Sequence, residues 1–399
     1  MNFALSKLAV SVTLCASIIG GYAAQAAAAE KEIVIGGSLP LSGQFQKIGD
    51  MTKKGYELAF DLMEKEGKLK DYKVALVIED DQQNPTQTNN IWNRIITDRN
   101  AVAMLGPYGS TTSIVGSNVA ERHQVPHVLN SASSYKVHER NAKHLYNAYA
   151  SLSIVRDPLI AEFINSVNGK KVVIFAEDGE FGTEGSRRLT EYAPKNGFEV
   201  VQTELIKGGT PDFSPTLLKF KGSQPDVFVG YFYINDWVKI LRQSKEIDFN
   251  PSYYIIPPMG DAIDKKFIDA MGKDADYPLE VNVWLPDLDS EQNKLFVSKF
   301  REKFGEEPDY NAAAGYVAAQ VLINALKNAE NPGDRASVNA ALRGSKPETL
   351  FGTLQFDEKG RGIGAKLFLT QTINGKPVVV FPKEVATAPA VPTPAWKQR

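Results

Sequence analysis

The sequence predicts an α/β protein built as two doubly wound lobes. Three observations carry this expectation. Short, continuous apolar runs alternate with stretches whose apolar residues fall at helical spacing, the pattern of parallel strands covered by helices on both faces. The alternation comes in two series, one ending and one beginning near residue 150. Two more helical stretches and two strand-like runs follow, as a chain requires when it returns to complete both lobes.

The first series opens with a strand at Glu32–Ser38 (EIVIGGS) that ends in glycine. Leu58, Ala59, Leu62 and Met63 then mark a helix over Lys53–Glu66. A strand at Lys73–Ile78, a helix at Asn90–Thr97 with Ile91, Ile95 and Ile96 on one face, and strands at Ala101–Leu105 and Val125–Leu129 complete it. The second series places strands at Lys171–Ala176, Phe198–Leu205, Asp226–Tyr231 and Tyr253–Ile256, with a helix around Trp237, Ile240 and Leu241. Helices at Glu291–Lys303 and Ala312–Asn328 and strands at Gly352–Phe356 and Ala365–Gln371 come last. This reading gives one lobe from 30–150 plus 283–350 and another from 151–282 plus 351–383, with crossings near Ala150, Asn282 and Leu350. The Ala/Pro-rich tail, 384–399, reads as an unstructured extension.

Residues 1–29 have the layout of a secretory signal peptide: a basic start with Lys7, an apolar core over Leu8–Ile19, and small residues after Ala23. The core is too short, and too broken by Ser11, Thr13 and Ser17, to span a membrane. The one cysteine, Cys15, lies inside it, so the mature chain expects no disulfide. Across all 399 residues, Lys+Arg 45 balance Asp+Glu 47 for a net charge of −2. A nucleic-acid binder would show a basic surplus, so that class is set aside.

In open α/β sheets, ligands bind beyond the carboxyl ends of the strands. Two of the loops there are dense in hydroxyls just before a helix start: Gly106-Pro107-Tyr108-Gly109-Ser110-Thr111-Thr112-Ser113 and Asn130-Ser131-Ala132-Ser133-Ser134. Such serines cap helices, and the exposed N–H groups beside them attract an anion. The second lobe offers Glu177-Asp178-Gly179-Glu180-Phe181-Gly182 and Phe232-Tyr233-Ile234-Asn235-Asp236. Two adjacent hydroxyl loops facing aromatic loops point to a carboxylate-bearing ligand rather than to capping alone.

Catalytic patterns do not emerge. The chain has no Gly-x-Ser-x-Gly elbow, no phosphate loop and no dinucleotide glycine fingerprint after its first strand. His123, His127, His138 and His144 cluster in sequence, but Pro126 keeps the first two off one helical face. A surface or capping role is expected for them, and no metal or cofactor. Glu79-Asp80-Asp81 reads as a solvated turn.

Several segments in order carry a family likeness: Ile35-Gly36-Gly37-Ser38-Leu39-Pro40-Leu41-Ser42-Gly43, Gly49-Asp50, Glu79-Asp80-Asp81-Gln82-Gln83-Asn84-Pro85, Leu105-Gly106-Pro107-Tyr108-Gly109-Ser110, Phe181-Gly182-Thr183-Glu184-Gly185, Leu241-Arg242-Gln243 and Phe356-Asp357-Glu358-Lys359-Gly360. Together they resemble the type I periplasmic binding proteins of ABC importers, specifically the leucine/isoleucine/valine-binding family, over nearly the whole mature chain. The resemblance implies two lobes joined by three crossings, with a ligand trapped by hinge closure. It implies a monomeric periplasmic protein that serves an inner-membrane ABC permease. The alternative is a periplasmic sensor that passes its state to a partner protein.

Residue by residue, the likeness makes Ser110 and Ser134 the hydroxyls that hold a ligand carboxylate, with Tyr108, Gly109, Ala132 and Ser133 beside them. Phe181 and Tyr233 fall at or near aromatic ligand contacts. Amino-acid binders of the family place a Glu after the strand at Tyr253–Ile256, to pair with the ligand ammonium. Here Met259 stands nearest that position, and Asp236 or Asp261 would have to replace the Glu. An unpaired ammonium in a closed cleft is costly. The ligand is therefore either an amino acid or an aromatic or keto acid without an ammonium.

Overall fold

A computed structural model describes residues 31–67, 69, 72–139, 142–150, 152–258, 260, 262 and 265–399. The segment read as a signal peptide, Met259 and Asp261 lie outside the described residues. In the first lobe, β1 (Lys31–Leu39), β2 (Tyr72–Asp80), β3 (Ala103–Leu105), β4 (His127–Leu129) and β5 (Leu145–Ala150) alternate with α1 (Gln46–Lys65), α2 (Pro85–Asp98) and α3 (Ser110–Arg122). All these strands run parallel, in the order β5-β4-β3-β1-β2. Ile35, for example, lies between Leu76 and Ala103. Asn84 starts α2 through its side chain, which accepts from the Thr86 and Gln87 N–H groups, with Pro85 at the first helical position.

The second lobe repeats the plan. After α4 (Leu152–Ser166) come β6 (Lys171–Glu177), α5 (Glu180–Tyr192), β7 (Glu199–Ile206), α6 (Ser214–Ser223), β8 (Val227–Tyr231), α7 (Ile234–Glu246), β9 (Tyr253–Ile256), α8 (Lys265–Met271) and β10 (Leu279–Asn282). The sheet order is β10-β9-β8-β6-β7, again parallel. In both sheets the strand order reverses around the first strand. The loops that diverge from this switch point open the crevice where ligands bind.

The chain then returns to the first lobe as α9 (Glu291–Phe304), α10 (Tyr310–Asn328) and α11 (Arg335–Gly344). Helices α1 and α10 touch backbone to backbone. A Cβ on Gly55 would lie 2.2 Å from the Ala312 carbonyl oxygen, and one on Gly315 would lie 2.3 Å from that of Thr52. The small residues of Asn311-Ala312-Ala313-Ala314-Gly315 are thus what this crossing demands.

The third crossing departs from expectation. A short hairpin, β11 (Glu348–Thr349) with β12 (Gly352–Thr353), precedes β13 (Gln355–Phe356) and β14 (Arg361–Ile363), and the last two join the first sheet beside β5. The chain enters the second sheet only with β15 (Phe368–Ile373) and β16 (Lys376–Phe381), so it crosses between Ile363 and Phe368 rather than near Leu350. The cause is glycine. Gly360, at φ 71°, and Gly362 lie so close to the backbone of β5 that no side chain would fit at either.

The tail also differs from expectation, because it is docked rather than unstructured. Trp396 is buried in the aromatic core of the second lobe, among Phe228, Phe249 and Tyr254, and its indole N–H donates to the Phe249 carbonyl at 2.8 Å. The Thr393 N–H donates to Ser252 and the Val391 N–H to the Gln371 side chain. An apolar aromatic with a satisfied donor outweighs the Ala/Pro composition around it. Trp396→Ala should therefore cost about 3 kcal/mol of stability. It should leave ligand affinity unchanged, because Trp396 packs at the start of β9 and the crevice lies at the strand's other end. Calorimetric unfolding beside a binding titration checks both.

Candidate ligand-binding site

The two crevices face each other across a cavity of about 50 Å³. Tyr108, Gly109 and Ser110 reach it from the loop after β3, and Ser131 and Ser133 from the loop after β4. Phe181, Tyr233 and Pro258 come from the loops after β6, β8 and β9 of the second lobe. Tyr149, Tyr310 and Asn311 complete the wall from β5 and the start of α10. None of these lining residues is acidic or basic.

The hydroxyl side is built around a helix start that no side chain caps. Gly109, at φ 79°, is the N-cap of α3. A Cβ there would be both strained and only 2.6 Å from the Gln83 side-chain nitrogen. Without a cap, the first-turn N–H groups of α3 are available to an anion, favoured further by the helix dipole. The Ser110 hydroxyl accepts from the Ser134 N–H at 3.2 Å, and the Gly109 N–H donates to the Ser131 hydroxyl at 3.4 Å, so the two loops are tied together. The corresponding helix of the second lobe is closed to anions. The Glu177 carboxylate already accepts from the Gly179 and Gly182 N–H groups at the start of α5, at 2.7 and 2.8 Å.

Two histidines brace these loops from behind. His127 Nε2 bonds the Gly106 carbonyl, while His138 Nδ1 lies 3.1 Å from the Lys359 carbonyl oxygen and its Nε2 3.3 Å from Asn147. Both are buried, contrary to the surface role expected of them. Burial pushes the His127 pKa down to about 3 and that of His138 down to about 4.

The aromatic side is a packed set of rings. Phe181 lies 5.5 Å from Tyr233 and 5.8 Å, edge-on, from Tyr231, and Phe45 of the first lobe meets Tyr233 edge-on at 5.2 Å. Behind the rings the buried Arg156 guanidinium stands 5.5 Å from the centre of Phe181 and 5.0 Å from that of Tyr231. Its Nε donates to Asp157 at 2.7 Å, and the Tyr231 hydroxyl donates to the same carboxylate oxygen at 3.3 Å. A fully buried ion pair thus fixes the ring wall.

Of the residues the sequence singled out, Tyr108, Gly109, Ser110, Ser133, Phe181 and Tyr233 line the cavity. Three described ones stand elsewhere. Ala132 is buried behind the wall, where its carbonyl accepts from the Asn147 side chain at 3.0 Å. The Ser134 hydroxyl is already committed: it donates to Glu180 of the second lobe at 2.9 Å and accepts from the Lys136 N–H at 3.2 Å. Asp236 lines a larger outer cavity of about 560 Å³, where it accepts from the Gly209 N–H and from Lys239 at 2.9 and 3.1 Å, so its charge is already answered. Sequence reasoning missed Ser131, Tyr149, Pro258, Tyr310 and Asn311. The available signal for the last two was Asp309, whose side chain accepts from the Ala312 N–H and so sets a helix start at the crevice.

Glu180 bridges the lobes, meeting both the Ser134 hydroxyl and the Lys136 ammonium at 2.9 Å. Glu180→Ala should shift the unliganded protein toward an open form, seen as a larger radius of gyration in solution scattering. Ligand affinity should fall by roughly tenfold, the worth of a hydrogen bond to a charged group. The histidines set a pH dependence. Their folded pKa values lie below the unfolded value of about 6.5, so the unfolded chain binds the extra protons and stability falls as pH drops below that value. Each should cost about 2 kcal/mol between pH 7 and pH 5. Denaturant titrations of wild type and His138→Gln should show the variant losing about 2 kcal/mol less over that interval.

A family model described as periplasmic binding protein matches residues 32–377. A Leu/Ile/Val-binding protein homolog of Brucella suis is 26% identical over 395 residues, covering 94% of this chain and 97% of its own. Among solved structures, a leucine-binding protein of Thermotoga maritima aligns with a TM-score of 0.79 at 23% identity, over 88% of this chain and 98% of its own. An ABC-transporter solute-binding protein of R. palustris in complex with benzoate aligns at 0.78 and 20% identity, over 91% of this chain and 98% of its own.

Proposed function

We propose, from the premise that the chain belongs to the periplasmic binding protein family, that it captures a small aromatic carboxylate for an inner-membrane ABC permease. The observation that carries this reading is the pairing of an uncapped helix start with a wall of aromatic rings, in a cavity lined by no charged side chain among the described residues. The carboxylate would meet the first-turn N–H groups of α3 and the hydroxyls of Ser110 and Ser133. Its ring would pack against Tyr108, Phe181 and Tyr233, where an aromatic pair adds about 0.5–1.5 kcal/mol beyond burial.

Closure follows from the lobes' construction. Three chain segments join the lobes, and one of them begins at Asn282, whose side-chain amide donates to Glu280 at 2.8 Å and to Thr370 at 2.7 Å. A ligand that touches both lobes stabilises the closed arrangement by its differential affinity for it. An ammonium group would find the two oxygens of Asp236 already engaged in the outer cavity. An amino-acid ligand is the competing reading, supported by the Leu/Ile/Val-binding relative.

Titration calorimetry with benzoate, phenylalanine and leucine separates the two readings. Benzoate should bind and leucine should give no heat. At 100 times its dissociation constant, the bound acid should stabilise the protein by about 2.7 kcal/mol in thermal unfolding. Tight leucine binding with silence from benzoate would return the protein to the amino-acid receptors.

A further inference from the structure

The inner cavity and the larger outer one, of about 560 Å³, share a border: Ser110, Phe181 and Tyr233 line both. Tyr108 belongs to the inner wall and Phe45 to the outer. Phe45 stands edge-on to Tyr233 at 5.2 Å and tilted against Tyr108 at 6.1 Å, and those two rings lie 6.3 Å apart. The three rings come from three chain segments and from both lobes. They close the border between the cavities, with Phe45 on its outward side.

The chain places Phe45 there at a cost to its own helix. Phe45 is the N-cap of α1, a position where Ser, Thr, Asp or Asn would bond the first-turn N–H groups, and its side chain makes no such bond. A large apolar side chain at this point gives up the cap and leaves its ring only half-buried. Gly43, at φ 75°, turns the chain just ahead of it. The Asp80 carboxylate pins the exit from β1 by accepting from the Leu41 N–H at 2.8 Å. What the helix start loses, the crevice gains as a ring held across the border.

We propose that Phe45 sets the size limit of the ligand: it ends the inner cavity, so that a single-ring carboxylate is accepted and one that reaches into the outer cavity is refused. The proposal rests on the aromatic-carboxylate reading above. A second fused ring on the ligand would have to push Phe45 away from Tyr108 and Tyr233. Forcing extra atoms among packed side chains is unfavourable even when those atoms are apolar. Truncating Phe45 opens the inner cavity onto the outer one, and the second ring then finds room.

The test is calorimetric titration of the protein, as wild type, Phe45→Leu and Phe45→Ala, with benzoate and 2-naphthoate, alongside the melting temperature of each variant. The wild type should bind benzoate roughly tenfold tighter than 2-naphthoate, although the larger acid has more apolar surface to bury. In Phe45→Ala that preference should shrink to within about twofold or reverse, with Phe45→Leu between the two. The ratio is the readout because Phe45 also joins the lobes through Tyr233, and a loss of that contact alone weakens both acids alike. The assignment is overturned if 2-naphthoate matches or exceeds benzoate in the wild type. It is equally overturned if the benzoate preference survives unchanged in a folded Phe45→Ala, or in Phe45→Leu should the alanine variant fail to fold. Either result leaves the aromatic-carboxylate reading standing. Failure of both acids to bind the wild type sinks that reading, and this assignment with it.

Discussion

Every strand at the centre of either sheet runs parallel to its neighbours, and this constraint organises the rest of the molecule. Parallel strands deliver all their carboxyl ends to one edge, so the loops leaving β3 and β4 gather in one crevice and those leaving β6, β8 and β9 in another. The reversal of order around β1 and around β6 parts the loops at those points and leaves room between them. Two such edges set face to face produce a cavity whose wall comes from seven separate chain segments. No local stretch of sequence builds it.

What the lobes contribute is unequal. The first supplies hydroxyls and an unclaimed helix start, while the second supplies rings and closes its own helix start with Glu177. The polar contacts that join the lobes, such as Glu180 with Ser134 and Lys136, lie at the rim. Lys136 is over half exposed there, so its ion pair holds weakly against solvent. A contact of this kind costs little to break. The buried Arg156–Asp157 pair is the opposite case, since both partners are fully enclosed and losing either would leave a bare charge in the core.

Much of this was legible in the sequence because buried parallel strands are short apolar runs and their loops can be read off the ends. Six of the ten site candidates line the cavity for that reason. The exceptions have physical causes that spacing does not reveal. Ser134 and Asp236 have the right chemistry at the right loop but already hold partners, and a sequence does not show which polar groups are spent. Tyr149 and Tyr310 come from a strand end and from a helix 161 residues later, brought together only by the return of the chain. The tail was misread because composition suggested an extended, solvated segment, whereas a single tryptophan with a hydrogen-bonded indole decided its fate.

That docked tail bears on the order in which the protein can come into being. The aromatic core of the second lobe draws on β6, β8 and β9 and on Trp396, which follows all of these strands by more than a hundred residues. Its sheet is finished by β15 and β16, and residues 387–393 are bonded along β16, β15 and the start of β9. A chain made from its amino end therefore lacks one wall of this lobe until Trp396 has been made. The first lobe likewise waits for α10 to cover α1 and for Gly360 to reach β5. Neither lobe is a finished folding unit until segments made long after its first strands have arrived.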